Sequence, residues 1–150
     1  MRTRRFMGGG IAAMMLILLG ATVVAAAVIY GTDGNDRLYG TPDNDRIHAL
    51  TGNDLVVGRA GRDQLEGNAG NDTIRGGNER DVIYGGWGDD HLNGGRGIDS
   101  VYGGRGNDTI VVNGDGAVDY VQCNAGIDVV YLDPEDSAGP GCETKRVVTP

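Results

Sequence analysis

A nine-residue period constrains this chain more than any other feature. From Gly31 to Tyr131 it divides into eleven blocks, with two extra residues, Val112 and Asn113, after the ninth block. The sixth position of every block is aspartate: Asp36, Asp45, Asp54, Asp63, Asp72, Asp81, Asp90, Asp99, Asp108, Asp119 and Asp128. The eighth position is always aliphatic: Leu38, Ile47, Val56, Leu65, Ile74, Ile83, Leu92, Val101, Ile110, Val121 and Val130. Neither a helix nor an ordinary strand has this period.

Each block predicts a turn followed by a short strand. The first six positions are polar and rich in glycine, which favours turns and close backbone approach. Positions seven to nine are predicted to be extended with the eighth side chain inward, because side chains alternate along a strand. Two blocks then complete one coil of a parallel solenoid, with two inward aliphatic ladders. Residues 28–30 share the strand pattern and are predicted to form the first strand.

Composition indicates that burial alone does not stabilise such a fold. The chain has 28 Gly but one Phe and one Trp, so its core must be thin. Three of the 13 basic residues lie near the N-terminus, which leaves 10 basic and 21 acidic residues, a net charge of −11, for the rest. A surface of this kind repels nucleic acid and anionic lipid and attracts cations.

The blocks GGWGDDHLN, GGRGIDSVY and GGRGNDTIV match the motif G-G-x-G-x-D-x-U-x in full, where U is a large apolar residue. The chain therefore resembles the RTX (hemolysin-type) nonapeptide calcium-binding repeat family. The resemblance implies an all-β, right-handed parallel β-roll of eleven nonapeptide repeats, with Ca²⁺ held between turns stacked on the same side. It also implies that the eleven sixth-position aspartates are metal ligands, together with turn carbonyls.

The two sides of such a roll are predicted to differ. Odd-numbered blocks supply six stacked turns with five gaps, and even-numbered blocks supply five turns with four gaps, so nine ions are the ceiling. The fourth position favours a left-handed glycine, but three even-numbered blocks have Asp43, Glu79 and Ala117 there. Calcium sites on the even side are therefore expected to be weaker.

The N-terminal residues predict export. Arg2, Arg4 and Arg5 precede a stretch without charge from Gly8 to Ile29, and small residues at 25–27 offer a cleavage site. Residues 1–27 are thus predicted to be a helical secretory signal peptide. The alternative is an uncleaved membrane anchor through residues 8–29, which would be the chain's only membrane contact. Either way residues 28–131, the repeat domain, are expected outside the cytoplasm.

The remaining residues, 132–150, lack the period. They are expected to fold back as a cap over the open end of the solenoid. In an exported protein an even cysteine count favours a disulfide between Cys123 and Cys142, with two free thiols as the alternative.

These features predict a secreted, non-catalytic calcium-binding module in which metal binding is coupled to folding. Repeats fill the chain between leader and tail, so no catalytic domain is expected. Two alternatives are an adhesive or ice-binding solenoid of the cell surface and an accessory module of an exported hydrolase. The sequence indicates no protein partner.

Overall fold

The structure is a computed structural model that describes residues 26–142 and 144–147. The predicted leader helix lies outside these residues. Fourteen strands follow one another along the described chain. They are β1 Val28–Tyr30, β2 Arg37–Tyr39, β3 Arg46–His48, β4 Leu55–Arg59, β5 Gln64–Ala69, β6 Thr73–Asn78, β7 Val82–Trp87, β8 His91–Arg96, β9 Ser100–Arg105, β10 Thr109–Val111, β11 Tyr120–Ala125, β12 Val129–Leu132, β13 Ser137–Ala138 and β14 Thr144–Val147.

The strands form two seven-stranded parallel sheets. The odd-numbered strands lie in order in one sheet, and the even-numbered strands lie in order in the other. Successive strands therefore alternate between sheets, so each pair completes one coil and the chain forms a solenoid of about seven turns. This confirms the predicted all-β parallel solenoid. The described residues contain no helix, so none of them forms a helical membrane span.

The core lies between the two sheets and consists mainly of the eighth-position side chains. In one sheet the register pairs Ile47 with Leu65, Leu65 with Ile83, and so on along the stack. All eleven eighth-position residues are buried, and ten of them are fully buried. Ile29 of β1 packs against the same cluster, which confirms that residues 28–30 supply the first strand. The core is one aliphatic side chain deep on each side, as the composition predicts.

The tail differs from its predicted fold-back. β13 pairs in parallel with β11, and β14 pairs in parallel with β12, so the tail adds a seventh strand to each sheet. The sequence period ends at Tyr131, but the backbone continues the same winding because both sheet edges still offer unpaired peptide groups. At the inward register position of β14 stands Lys145, which is exposed and ends the aliphatic ladder.

A disulfide joins Cys123 to Cys142, as predicted. Cys123 lies fully buried in β11, and Cys142 packs against the core just before β14. The bond therefore ties the seventh coil to the sixth.

Candidate metal centre

The sixth-position aspartates lie inside the turns and not on the surface. From Asp45 to Asp128 each is at most 4% exposed, whereas Asp36 in the first block is half-buried. Aspartate six, the aliphatic residue eight and position one of the next block all face inward, because side chains alternate along the extended segment. The two sides of the solenoid thus each contain a column of stacked carboxylates.

One oxygen of each carboxylate belongs to the backbone scaffold. Oδ1 of Asp90 accepts a hydrogen bond of 2.8 Å from the backbone N–H of Asp72, one coil earlier. The same contact repeats along both columns at 2.7–2.9 Å. It extends beyond the repeats, since Ala27 N–H donates to Asp45 and Asp119 N–H donates to Asp136. Oδ1 therefore joins adjacent coils without any metal.

The other oxygen, Oδ2, is buried and unsatisfied along most of the columns. Within the described residues it has no hydrogen-bond partner at Asp54, Asp63, Asp72, Asp81, Asp90, Asp99, Asp108 and Asp119. A buried carboxylate oxygen without a partner costs free energy, because it loses hydration and gains nothing in return. A repeated cost of this kind indicates that these atoms serve a ligand.

A second oxygen stands beside the unsatisfied one in several of the turns. A Cβ built on Gly67, the first residue of its block, would overlap with Oδ2 of Asp72 and lie 2.6 Å from the carbonyl oxygen of Gly85. Gly58, Gly76 and Gly85 have the same environment in their own coils. Glycine is required at these first positions because the carboxylate of the same block and a carbonyl oxygen of the next coil converge there. The turns thus bring together two kinds of oxygen from adjacent coils.

The turns themselves are built on left-handed residues. Positions two and four have positive φ in the third to ninth blocks and again in the eleventh. Glu79, at position four, has a φ of 73°, so it adopts the strained conformation that the sequence predicts. Asp43 and Ala117 avoid it, because neither has a positive φ. Of the three non-glycine residues at position four, only Glu79 therefore has the strained backbone that the sequence predicts.

Sequence reasoning missed the second position. Leu50 and Arg59 have φ values of 81° and 91° there, and Asn68 and Asn124 have φ values of 72° and 73°. Three of these four residues belong to odd-numbered blocks. Strain from non-glycine residues is consequently present on both sides of the solenoid.

A ladder at the fifth position does distinguish the two sides. On the odd side, the side-chain oxygens of Asn35, Asn53, Asn71, Asp89 and Asn107 each accept a hydrogen bond from the fifth-position N–H of the next coil, at 2.7–2.9 Å. On the even side, within the part of the chain that the structure describes, only Asn44 accepts such a bond, from Arg62 N–H, because arginine, isoleucine and valine occupy the later fifth positions. The signal was visible as asparagine or aspartate recurring every 18 residues.

Without a cation the columns hold their protons tightly. Burial raises the pKa of Asp81 to about 8 and those of Asp90 and Asp119 to about 7, with neighbouring carboxylates adding to the shift. Burial likewise raises the pKa to about 6 at Asp63, Asp72, Asp99 and Asp108. At neutral pH some carboxyl groups of the columns therefore stay protonated unless a positive charge is placed beside them.

The turn of the tenth block is organised differently. Its two extra residues widen the loop, and Oδ2 of Asp133 accepts hydrogen bonds from the N–H groups of Gly114 and Gly116, at 2.9 and 3.0 Å. These donors lower the pKa of Asp133. Asp115 in turn accepts from Gly97 N–H at 2.6 Å. Hydrogen bonds to the carboxylates of Asp133 and Asp115 thus hold this loop in place.

The donor set suits Ca²⁺. This ion takes six to eight oxygens, from carboxylates and backbone carbonyls, in flexible geometry. The described residues contain no cluster of three or more His, Cys, Asp or Glu side chains able to hold a metal. A site between two coils does not need such a cluster, because each of the two coils contributes one carboxylate and the left-handed turns contribute carbonyl oxygens. Zinc, which prefers nitrogen and sulfur, finds no such set here.

Comparison with known families agrees with this geometry. The model described as RTX calcium-binding nonapeptide repeat (4 copies) matches residues 30–65, 66–101 and 84–116. A search of curated proteins gives no match. The matched residues span more than half of the 150-residue chain. The chain therefore belongs to the RTX calcium-binding nonapeptide repeat family.

Proposed function

We propose that this chain is an exported, non-catalytic structural protein whose eleven nonapeptide blocks wind into a right-handed β-roll and bind Ca²⁺ between stacked turns. The observation that carries the proposal is the column of buried, unsatisfied Oδ2 atoms beside first-position carbonyl oxygens. The ligands proposed are the sixth-position aspartates, with up to nine ions in the repeat region. When bound, Ca²⁺ supplies positive charge between carboxylates that otherwise repel.

The stacking distance explains why folding depends on the ion. Strands of adjacent coils lie about 4.8 Å apart, and two ionised carboxylates at that separation repel by roughly 1–4 kcal/mol, depending on the effective dielectric. The aliphatic core is one residue deep, so it cannot offset both this repulsion and the conformational entropy lost on folding. The chain's own groups hold the coils in register through Oδ1, and Oδ2 is left for the metal.

The experiment is circular dichroism of the purified protein in chelator, in Ca²⁺ and in Mg²⁺ at neutral pH. We expect strand signal to appear with Ca²⁺ and to be weak in chelator. Mg²⁺ should substitute poorly, because it requires tighter octahedral geometry. Full strand content in chelator, or equal effects of the two ions, would contradict the proposal.

Export and the domain limits are also part of the proposal. Residues 1–27 are proposed as the signal peptide, 28–131 as the calcium-binding roll and 132–150 as its C-terminal cap. Among the described residues the stack already includes Ala27, whose N–H donates to Asp45 and whose carbonyl accepts from Arg46 N–H, so the roll reaches to within one residue of the proposed limit. Mass spectrometry of the protein recovered from the medium tests this. Recovery of the intact chain from the membrane fraction would favour the anchor instead.

A further inference from the structure

We propose that the calcium array begins at the third block, and that Thr32 and Thr41 close the turns of the first two blocks in place of metal. This inference rests on the proposed function, because it assigns where along the roll calcium sites start. Residues 31–48 then form a cap at the N-terminal end of the solenoid whose turns bind no metal.

The first observation is the state of Oδ2. In the first block, Oδ2 of Asp36 accepts hydrogen bonds from the N–H of Thr32 at 2.6 Å and from its hydroxyl at 2.9 Å. In the second block, Oδ2 of Asp45 accepts from the N–H of Thr41 at 2.5 Å and from its hydroxyl at 3.1 Å. The equivalent atom is unsatisfied in the third block, at Asp54.

The second observation is that each threonine also closes its own turn. The hydroxyl oxygen of Thr32 accepts a hydrogen bond from Gly34 N–H, and that of Thr41 accepts one from Asp43 N–H, both at 3.2 Å. Position four is thereby linked back to position two. A hydroxyl that both donates and accepts in this way defines a compact local turn.

The third observation is the backbone. Positions two and four of the first two blocks have no positive φ, although position four of the first block is Gly34. All later blocks except the tenth are left-handed at both positions. The turns closed by threonine therefore have a different peptide orientation from the turns that leave Oδ2 unsatisfied. Hydrogen bonding and backbone conformation therefore change together at the third block.

The consequence for metal binding follows from oxygen availability. Oδ1 of Asp45 accepts from Ala27 N–H and from the Thr41 hydroxyl, and Oδ2 is engaged as described, so a cation would have to displace existing hydrogen bonds. One gap on each side of the solenoid includes Asp36 or Asp45. The ceiling of nine ions then falls to seven.

A cap of this kind suits the end of a solenoid, where the terminal turns lack a stacked turn on one side.

The test compares two double variants of the full chain with the wild type. Thr32→Gly with Thr41→Gly removes both hydroxyls and permits a left-handed second position, as in GGWGDDHLN. Thr32→Ser with Thr41→Ser keeps a hydroxyl and is the matched control. Calcium stoichiometry is measured by equilibrium dialysis with ⁴⁵Ca.

We expect the wild type and the serine variant to bind no more than seven ions. The glycine variant should bind up to two more ions. Eight or nine ions in the wild type, or an unchanged count in the glycine variant, would overturn the inference alone. A wild type that binds no calcium would refute the proposed function as well.

Discussion

Replacing Asp90 with asparagine separates the two roles of a column carboxylate. The amide oxygen of asparagine can still accept the backbone N–H of Asp72, which holds adjacent coils together. Its NH₂ group, in place of Oδ2, carries no charge and lies near the carbonyl oxygen of Gly103. Asp90→Asn therefore keeps the scaffold contact and removes the anionic metal ligand.

The sign of the effect depends on whether calcium is present. Burial raises the pKa of Asp90 from 3.8 to about 7, so ionising it in the metal-free fold costs on the order of 4 kcal/mol above about pH 8. Asparagine avoids that cost, so Asp90→Asn should stabilise the metal-free fold. In calcium it should do the opposite, because the ion loses a charged ligand.

The assay is strand content by circular dichroism at about pH 8, with urea titrations in chelator and in saturating calcium. Asp89→Asn is the matched control. Asp89 is exposed, and its side-chain oxygen caps Asn107 N–H, a contact that asparagine retains. This control should change stability much less than Asp90→Asn in either condition, because Asp89 is only the smallest contributor to the raised pKa of Asp90. Loss of stability by Asp90→Asn in chelator would show that our electrostatic reasoning is wrong, and unchanged stability in calcium would show that Oδ2 is not a metal ligand.

Three further predictions follow from the same contacts. In chelator, strand content should rise as the pH is lowered from about 8 toward 4. Carboxyls with raised pKa values, Asp81 foremost, destabilise the fold only when they are ionised. A pH titration in which the strand signal stays flat or falls would contradict this. Glu79→Gly relieves the left-handed φ of 73° at this position, so it should raise the urea midpoint by the equivalent of about 1 kcal/mol. An unchanged midpoint would mean that the turn is unstrained. Reducing the Cys123–Cys142 bond should lower the free energy of unfolding by roughly 3 kcal/mol in the chain-entropy model. Hydrogen exchange should increase in β13 and β14, while the middle coils stay protected in calcium. A uniform loss of protection would contradict this.

The period alone predicted most of the architecture. An invariant aliphatic residue every nine positions implies one inward side chain per strand, and both sheets have the two ladders that this requires. The pairing of Cys123 with Cys142 and the first strand at residues 28–30 were also predicted correctly. These predictions succeed because strand alternation and disulfide pairing between two cysteines depend on local pattern and count.

The turns were harder to predict. A glycine-rich motif indicates a tight turn, but it does not say that Leu50 and Arg59 adopt left-handed conformations or that Asp43 avoids one. Those choices depend on what lies 18 residues away, since each turn packs on the turn of the next coil. The asparagine ladder also joins residues 18 or 20 positions apart, whereas the threonine contacts are local and were missed because a threonine at position two has no distinctive motif.

The sequence by itself determined the repeat, the inward positions, the acidic columns and the family. The tertiary structure decided which oxygens of those columns are already occupied, because stacking places each residue beside its equivalent one coil away. It also decided how irregularities are absorbed: Val112 and Asn113 lengthen one coil, so Asp99 N–H reaches Asp119, 20 residues on, and the column continues. The tail joins the sheets for the same reason, since parallel strand pairing depends on exposed backbone groups and not on the nine-residue motif.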